Sequence, residues 1–157
     1  MSFVGGLNGL ETLCPSIVMI GLMITSPNTS ILLIVPLTVY LFLACLNFAG
    51  KIFVGNTGTF AIGITLASYA IIANNEQTLL ISILPYVFNS SLILLNVFLF
   101  GKTAKLILDG NKLRADNARS LLTLIAHRKS LPEWKLVATV SLTVALSVSA
   151  AVLLWSI

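Results

Sequence analysis

Charge is scarce in this sequence. Asp, Glu, Lys and Arg make up 9% of its 157 residues, where a soluble domain carries about a quarter. Hydrophobic residues reach 57% and the mean hydropathy is +1.03. That leaves too little polar surface to cover a globule, so lipid must solvate much of the chain. There are two cysteines, Cys14 and Cys45, both in apolar stretches. Their number and spacing exclude a disulfide framework and a thiolate metal site, and both are expected as small buried side chains. The single histidine, His127, stands among basic residues. The opening Met1-Ser2-Phe3-Val4-Gly5-Gly6 lacks a basic n-region and a cleavage site, so no signal peptide is read there. A start directly in a glycine-rich loop is instead expected of the later part of a longer protein, a split-gene product or a fragment.

Long apolar runs are abundant. A bilayer core needs about 20 apolar residues in helical form, and five segments approach that: residues 10–25, 30–49, 58–73, 78–100 and 136–157. The first is short and interrupted by Pro15, and Pro85 is expected to kink the fourth. Ser26-Pro27-Asn28-Thr29 and Asn74-Asn75-Glu76-Gln77 are short polar turns that force antiparallel neighbours. The expected fold is an all-α integral membrane bundle of about five transmembrane helices. Residues 1–157 would form a single membrane domain, with a basic cytoplasmic loop, 101–135, before the last helix.

Orientation follows from the bases. Eight of the nine lie between Gly101 and Lys135, against Asp109, Asp116 and Glu133, and the ninth, Lys51, lies between the second and third spans. The other two turns have none. With five spans this predicts a cytoplasmic N-terminus and an external C-terminus, in the plasma membrane if the protein is prokaryotic. Topology alone accounts for the basic loop; attraction of anionic headgroups or of a phosphorylated substrate is the alternative. Within it, Leu121, Leu122, Leu124 and Ile125 between Arg119 and Arg128 have the spacing of an amphipathic surface helix. No nucleic-acid partner is expected.

Two loops carry candidate chemistry: Gly5-Gly6-Leu7-Asn8-Gly9-Leu10-Glu11 and Asn47-Phe48-Ala49-Gly50-Lys51-Ile52-Phe53-Val54-Gly55-Asn56-Thr57-Gly58. Each precedes an outward-running helix, whose first N–H groups and positive dipole end favour an anion. The same residues are open to a plainer reading, with the glycines as turn formers and Thr57 as an N-cap. In the fourth span Ser82, Asn89 and Asn96 recur every seven residues, with Ser90 and Ser91 nearby. That stripe is expected to face the bundle and hydrogen-bond across helices. The spans hold no ionisable residue beyond Glu11 at a helix start, which disfavours a third reading as a small transporter or channel subunit.

Phe53-Val54-Gly55-Asn56-Thr57-Gly58 resembles the FVGDTG signature of polyprenyl-phosphate N-acetylhexosamine-1-phosphate transferases, and Asn8-Gly9-Leu10-Glu11 resembles their NGLE loop. The likeness is to the dolichyl-phosphate GlcNAc-1-phosphate branch, with the bacterial MraY translocase more distant. Arg119-Ser120-Leu121-Leu122-Thr123-Leu124-Ile125 looks like that branch's last cytoplasmic segment. The resemblance covers this whole chain but only about the C-terminal half of a family member. It implies transfer of GlcNAc-1-phosphate from UDP-GlcNAc to a polyprenyl (dolichyl) phosphate, with Mg²⁺ as cofactor. It also implies nucleotide-sugar binding at Asn8, Gly9, Leu10, Phe53, Gly55 and Thr57, with Phe53 stacked on uracil and the Asn8–Leu10 loop on its edge.

The metal-binding pattern departs from the family. Asn56 stands where the signature has Asp, Ser2 falls where the family has Asn, and no adjacent acidic pair occurs. Lys102-Thr103-Ala104-Lys105 keeps the charge of a diphosphate-contacting motif without its histidine, leaving Lys102 and Lys105 as candidate phosphate or lipid-headgroup contacts. The expectation is a family half that is inactive alone and works with a separately encoded N-terminal half. The alternative is a non-catalytic membrane subunit or pseudoenzyme that binds a nucleotide-sugar, a lipid phosphate or a partner enzyme.

Overall fold

The computed structural model describes residues 9–100, 106–109, 112–115 and 132–155. They contain five α-helices: α1 Leu10–Thr25, α2 Ile31–Phe48, α3 Gly55–Ile72, α4 Glu76–Phe100 and α5 Glu133–Trp155. A 3-10 turn, Pro27–Thr29, joins α1 to α2. A two-stranded antiparallel ribbon, β1 Leu106–Asp109 with β2 Lys112–Ala115, falls between α4 and α5 in the chain. The basic loop was not expected to hold strands; its amphipathic segment, 119–128, lies outside the described residues.

Three helices are long and apolar enough to cross a membrane: Ile31–Phe48, Glu76–Leu99 and Trp134–Trp155. The apolar α1 has 16 residues, about 24 Å at 1.5 Å per residue, against a hydrocarbon core of about 30 Å. The 18 residues of α3 open on Gly-Asn-Thr-Gly-Thr, and α3 is not among the three.

The chain divides into two compact units, Leu84–Val140 and the remainder, with one boundary beside Pro85 in α4 and the other at Ser141 in α5. Pro15, Pro36 and Pro85 all lie inside continuous helices. Pro15 therefore costs α1 one hydrogen bond, to the Glu11 carbonyl, without ending it.

In the first unit α1 is the most enclosed helix. Cys14, Val18, Met19 and Leu22 are fully buried, and so is Thr12. The hydroxyls of Thr12, Ser16 and Thr25 donate to carbonyls three or four residues back on the same chain. That is how such residues become tolerable in an apolar interior. Leu33, Tyr40 and Ala44 of α2 and Ile62, Leu66 and Tyr69 of α3 complete the core with Val144 and Val148 of α5. A side chain at Gly21 would overlap Val148, so a small residue sets the close approach of α1 and α5. Higher on the same seam Cys14 Sγ lies 3.5 Å from Ser141 Oγ.

The outward faces are apolar as well. Ile31, Val35 and Phe42 of α2, Phe60 and Ile64 of α3, and Leu142 and Leu146 of α5 are exposed. Water would penalise such a surface; lipid does not. Cys45, expected buried, is also exposed, since α2 turns its face at that position outward where a thiol serves as a small apolar group.

On α4 the polar stripe is only partly turned inward. Ser82 is buried, and its carbonyl accepts from the Ser147 hydroxyl of α5 at 3.1 Å. Asn89 is half-buried, whereas Ser90 and Ser91, expected to face the bundle, are exposed. Two adjacent serines cannot share one helical face with Asn89, because successive residues turn by about 100°. The side chain of Asn96 lies outside the described residues.

Candidate functional site

Among the described residues, Gly9 at the end of the first motif loop meets the second loop at one end of the first unit, through the side chain of Asn47. Asn47, near the end of α2, is 2% exposed. Its Oδ1 accepts the backbone N–H of Gly9, and its Nδ2 donates to the Ile52 carbonyl at 2.9 Å. Residues 38 positions apart are thus fixed by one buried amide. Sequence reasoning included Asn47 in the second loop but gave it no role. The available signal was an asparagine closing an otherwise apolar helix, since buried amides are retained only with partners.

Local structure explains how the loops take shape. The α2 helix closes with Gly50 N–H on the Asn47 carbonyl at 2.9 Å and Lys51 N–H on the Leu46 carbonyl at 3.0 Å, with Gly50 at φ +66°. This is a Schellman closure, for which glycine is the usual residue. The chain then runs through Ile52 and Phe53 to Gly55, where φ is +65° and α3 begins. At the other loop Gly9 has φ +90° and caps α1. A Cβ there would enter the Phe48 ring, so glycine answers both a backbone and a packing demand.

The α3 helix starts three residues earlier than expected. Asn56 and Thr57 belong to its first turn rather than to a loop, and the capping position is Val54, not Thr57. Neither α1 nor α3 has a side-chain cap. The exposed first turn of α3 keeps the N–H character that attracts anions, whereas at α1 the Gly9 and Thr12 N–H groups are bonded and both residues are buried. The Tyr40 hydroxyl donates to the Gly58 carbonyl at 2.6 Å, and Thr59 Oγ1 donates to the Asn56 carbonyl at 2.9 Å. The first bond fixes the start of α3 against α2, and the second lies within α3.

Of the expected site residues, Gly9 is buried, Leu10 and Gly55 are half-buried, and Phe53, Asn56 and Thr57 are exposed. Phe48 and Phe53 are 51% and 59% exposed, so this end carries two open aromatic rings, with Lys51 also exposed between them in the chain. Ser2, Asn8, Lys102 and Lys105 lie outside the described residues.

Magnesium favours hard oxygens with carboxylate charge. Asn56 offers a neutral amide in the exposed first turn. Glu11 is the acidic residue of the first turn of α1, and its buried Oε2 has no hydrogen-bond partner among the described residues. Among the described residues no three His, Cys, Asp or Glu side chains come together as a metal site. The described residues at this end do not by themselves fit a magnesium ion.

The opposite end of the unit is built differently. Asn75 Nδ2 donates to Thr25 Oγ1 at 2.6 Å and to Ser26 Oγ at 2.7 Å. Tyr69 Oη donates to the Ser26 carbonyl at 3.2 Å and lies 3.1 Å from Thr29 Oγ1. The α1–α2 and α3–α4 turns are thereby knotted together, as their polar composition and short length require. Comparison of the chain with protein-family models, curated proteins and solved structures returned no match.

Proposed function

We propose that this chain is the nucleotide-sugar-facing half of a polyprenyl-phosphate GlcNAc-1-phosphate transferase, an integral membrane protein of about five spans. In this reading α1 and α3 cross with α2, α4 and α5. The N-terminus and the basic loop are cytoplasmic, and the C-terminus is outside. The observation that carries the proposal is the junction at Asn47. The two segments whose sequences resemble the family's NGLE and FVGDTG motifs are joined through one buried amide at one end of the unit.

The chemistry would be attack of a lipid phosphate oxygen on the sugar-bearing phosphorus of UDP-GlcNAc, with UMP leaving and a pyrophosphate-linked sugar formed. Phe53 would stack on the uracil, and the Asn8–Leu10 backbone would meet its edge. The exposed first turn of α3 would face phosphate oxygens, with Gly55 and Thr57 beside them. Lys102 and Lys105 would hold the lipid phosphate. Mg²⁺, expected from the family, requires carboxylates this chain does not gather, so the polypeptide alone is proposed to be inactive. A separately encoded N-terminal half would supply them.

A second reading is favoured by one residue. Asn56 in place of the family's Asp fits a non-catalytic membrane subunit that keeps nucleotide-sugar or lipid-phosphate binding without turnover. UDP-GlcNAc binding to the purified chain in detergent, with and without Mg²⁺ and repeated with Asn56→Asp, tests both. Binding strengthened by Mg²⁺ only in the Asp variant is the expected result. No binding in any condition would remove the stand-alone site.

A further inference from the structure

The β1–β2 ribbon lies in the basic segment, and its register sorts residues by polarity. Leu106 pairs with Ala115 and Leu108 with Leu113; alternating with them, Ile107 pairs with Arg114 and Asp109 with Lys112. Strands alternate with a period of two, so four register positions on one face of the ribbon are Leu106, Leu108, Leu113 and Ala115. The other face carries Ile107, Asp109, Lys112 and Arg114. A lone two-stranded ribbon is at best marginally stable in water unless its apolar face is covered. Among the described residues the sheet has no third strand.

We infer that this ribbon docks on the anionic headgroup layer of the bilayer that its own chain spans, apolar face toward the lipid. Three observations select that occupant. The first is reach. The candidate span Glu76–Leu99 ends just before the loop and Trp134–Trp155 begins just after it. Only residues 101–105 separate α4 from β1, and an extended chain covers at most about 3.6 Å per residue. The ribbon therefore starts within about 20 Å of the membrane end of α4.

The second is the marking of that level. Phe98 at the end of α4 is 91% exposed and Trp134 at the start of α5 is 65% exposed. The Lys135 ammonium lies 5.3 Å from the centre of the Trp134 ring. Exposed tryptophan beside lysine at a span end is the composition of a membrane–water interface. The third is charge. Eight basic residues face three acidic ones between Gly101 and Lys135, and Lys112 and Arg114 outnumber Asp109 on the ribbon itself. Each basic residue near an anionic surface contributes about fivefold to the partition.

The test uses the full chain reconstituted in vesicles of phosphatidylcholine with or without phosphatidylserine. An environment-sensitive fluorophore is attached at Leu108→Cys or, on the other face, at Ile107→Cys. Cys45→Ser removes the exposed native thiol; the buried Cys14 can stay. The expected result is that the probe at 108 is quenched by spin-labelled lipid and protected from aqueous iodide, while the probe at 107 behaves the opposite way. Lipid quenching at 108 should fall several-fold without phosphatidylserine, in high salt, or with Lys112→Gln and Arg114→Gln. The salt arm needs no further variant and so separates docking from misfolding. Equal behaviour of the two positions would overturn the inference. Protection of position 108 from both quenchers, which means a protein cover, would do so too, as would indifference to lipid charge and salt.

Discussion

The two ends of the first compact unit use the same residue type in opposite ways. At one end Asn75 reaches across to Thr25 and Ser26, while Tyr69 adds bonds to Ser26 and Thr29, so the turns are closed on one another. At the other end Asn47 joins Gly9 to the second loop, the Phe48 ring lies close against Gly9, and the Phe53 ring, Lys51 and the first turn of α3 are exposed. An end that spends its polar groups on itself is a structural joint. The other end fixes its backbone through that amide and, in the proposed reading, leaves its exposed rings and the start of α3 for a ligand. The distinction turns on where hydrogen-bonding capacity goes, which is an accounting question for any buried segment.

Substitutions can break or sharpen that contrast. The largest effect is expected from Gly9→Val, which forces a β-branched residue to φ +90° and drives its side chain into Phe48. Left-handed strain of about 1–2 kcal/mol and overpacking of about 1–3 kcal/mol should lower thermal stability in detergent and abolish nucleotide-sugar binding. Asn47→Ala comes next. It leaves the Gly9 N–H and the Ile52 carbonyl without their partner, at about 1–3 kcal/mol, and should also loosen both loops. Limited proteolysis would show new cleavage near residues 49–54.

Asn75→Ala should cost somewhat less, about 1–2 kcal/mol, because Asn75 Oδ1 has no partner to lose and the hydroxyls it serves can turn elsewhere. Ligand binding should not change. Tyr69→Phe, which removes one hydroxyl from the same knot, is expected to cost roughly 0.6 kcal/mol, a typical value for a polar contact between membrane helices. The smallest stability effect, under about 0.5 kcal/mol, belongs to Thr57→Val, since Thr57 is exposed and caps nothing. In that variant UDP-GlcNAc affinity should nonetheless fall several-fold, which separates a binding residue from a structural one.

Much of the helical frame was legible because punctuation and apolar length agree. The expected 10–25 coincides with α1, where Gly9 and Ser26-Pro27 bracket the run. The expected 30–49 differs from α2 by one residue at each end. The start of α3 was misplaced because Gly-Asn-Thr-Gly reads as a loop; in the structure Gly55 takes the left-handed turn and the helix proceeds at once. The start of α5 moved from 136 to 133, directly after Pro132, whose fixed φ suits a helix entrance. The ribbon was missed although Gly110-Asn111 between two short alternating runs is a hairpin signal. The eight bases of residues 101–135 obscure that alternation, because polar positions dominate the segment.

The candidate site was legible as two motifs on one face. What joins them was not, because a contact across 38 residues leaves no local pattern. Ser82, buried, was separable from Ser90 and Ser91, exposed, because seven residues bring Ser82 back into phase with Asn89 while the two residues after Asn89 are turned by about 100° and 200°.

The most direct test of the contrast between the two ends is UDP-GlcNAc binding to the wild-type chain, Asn47→Ala and Asn75→Ala, titrated side by side in one detergent below the melting temperature of all three. Asn47→Ala is expected to weaken binding at least about fivefold, equivalent to roughly 1 kcal/mol, while Asn75→Ala stays within about twofold of wild type. Equal losses in the two variants, or wild-type affinity in Asn47→Ala, would contradict that contrast.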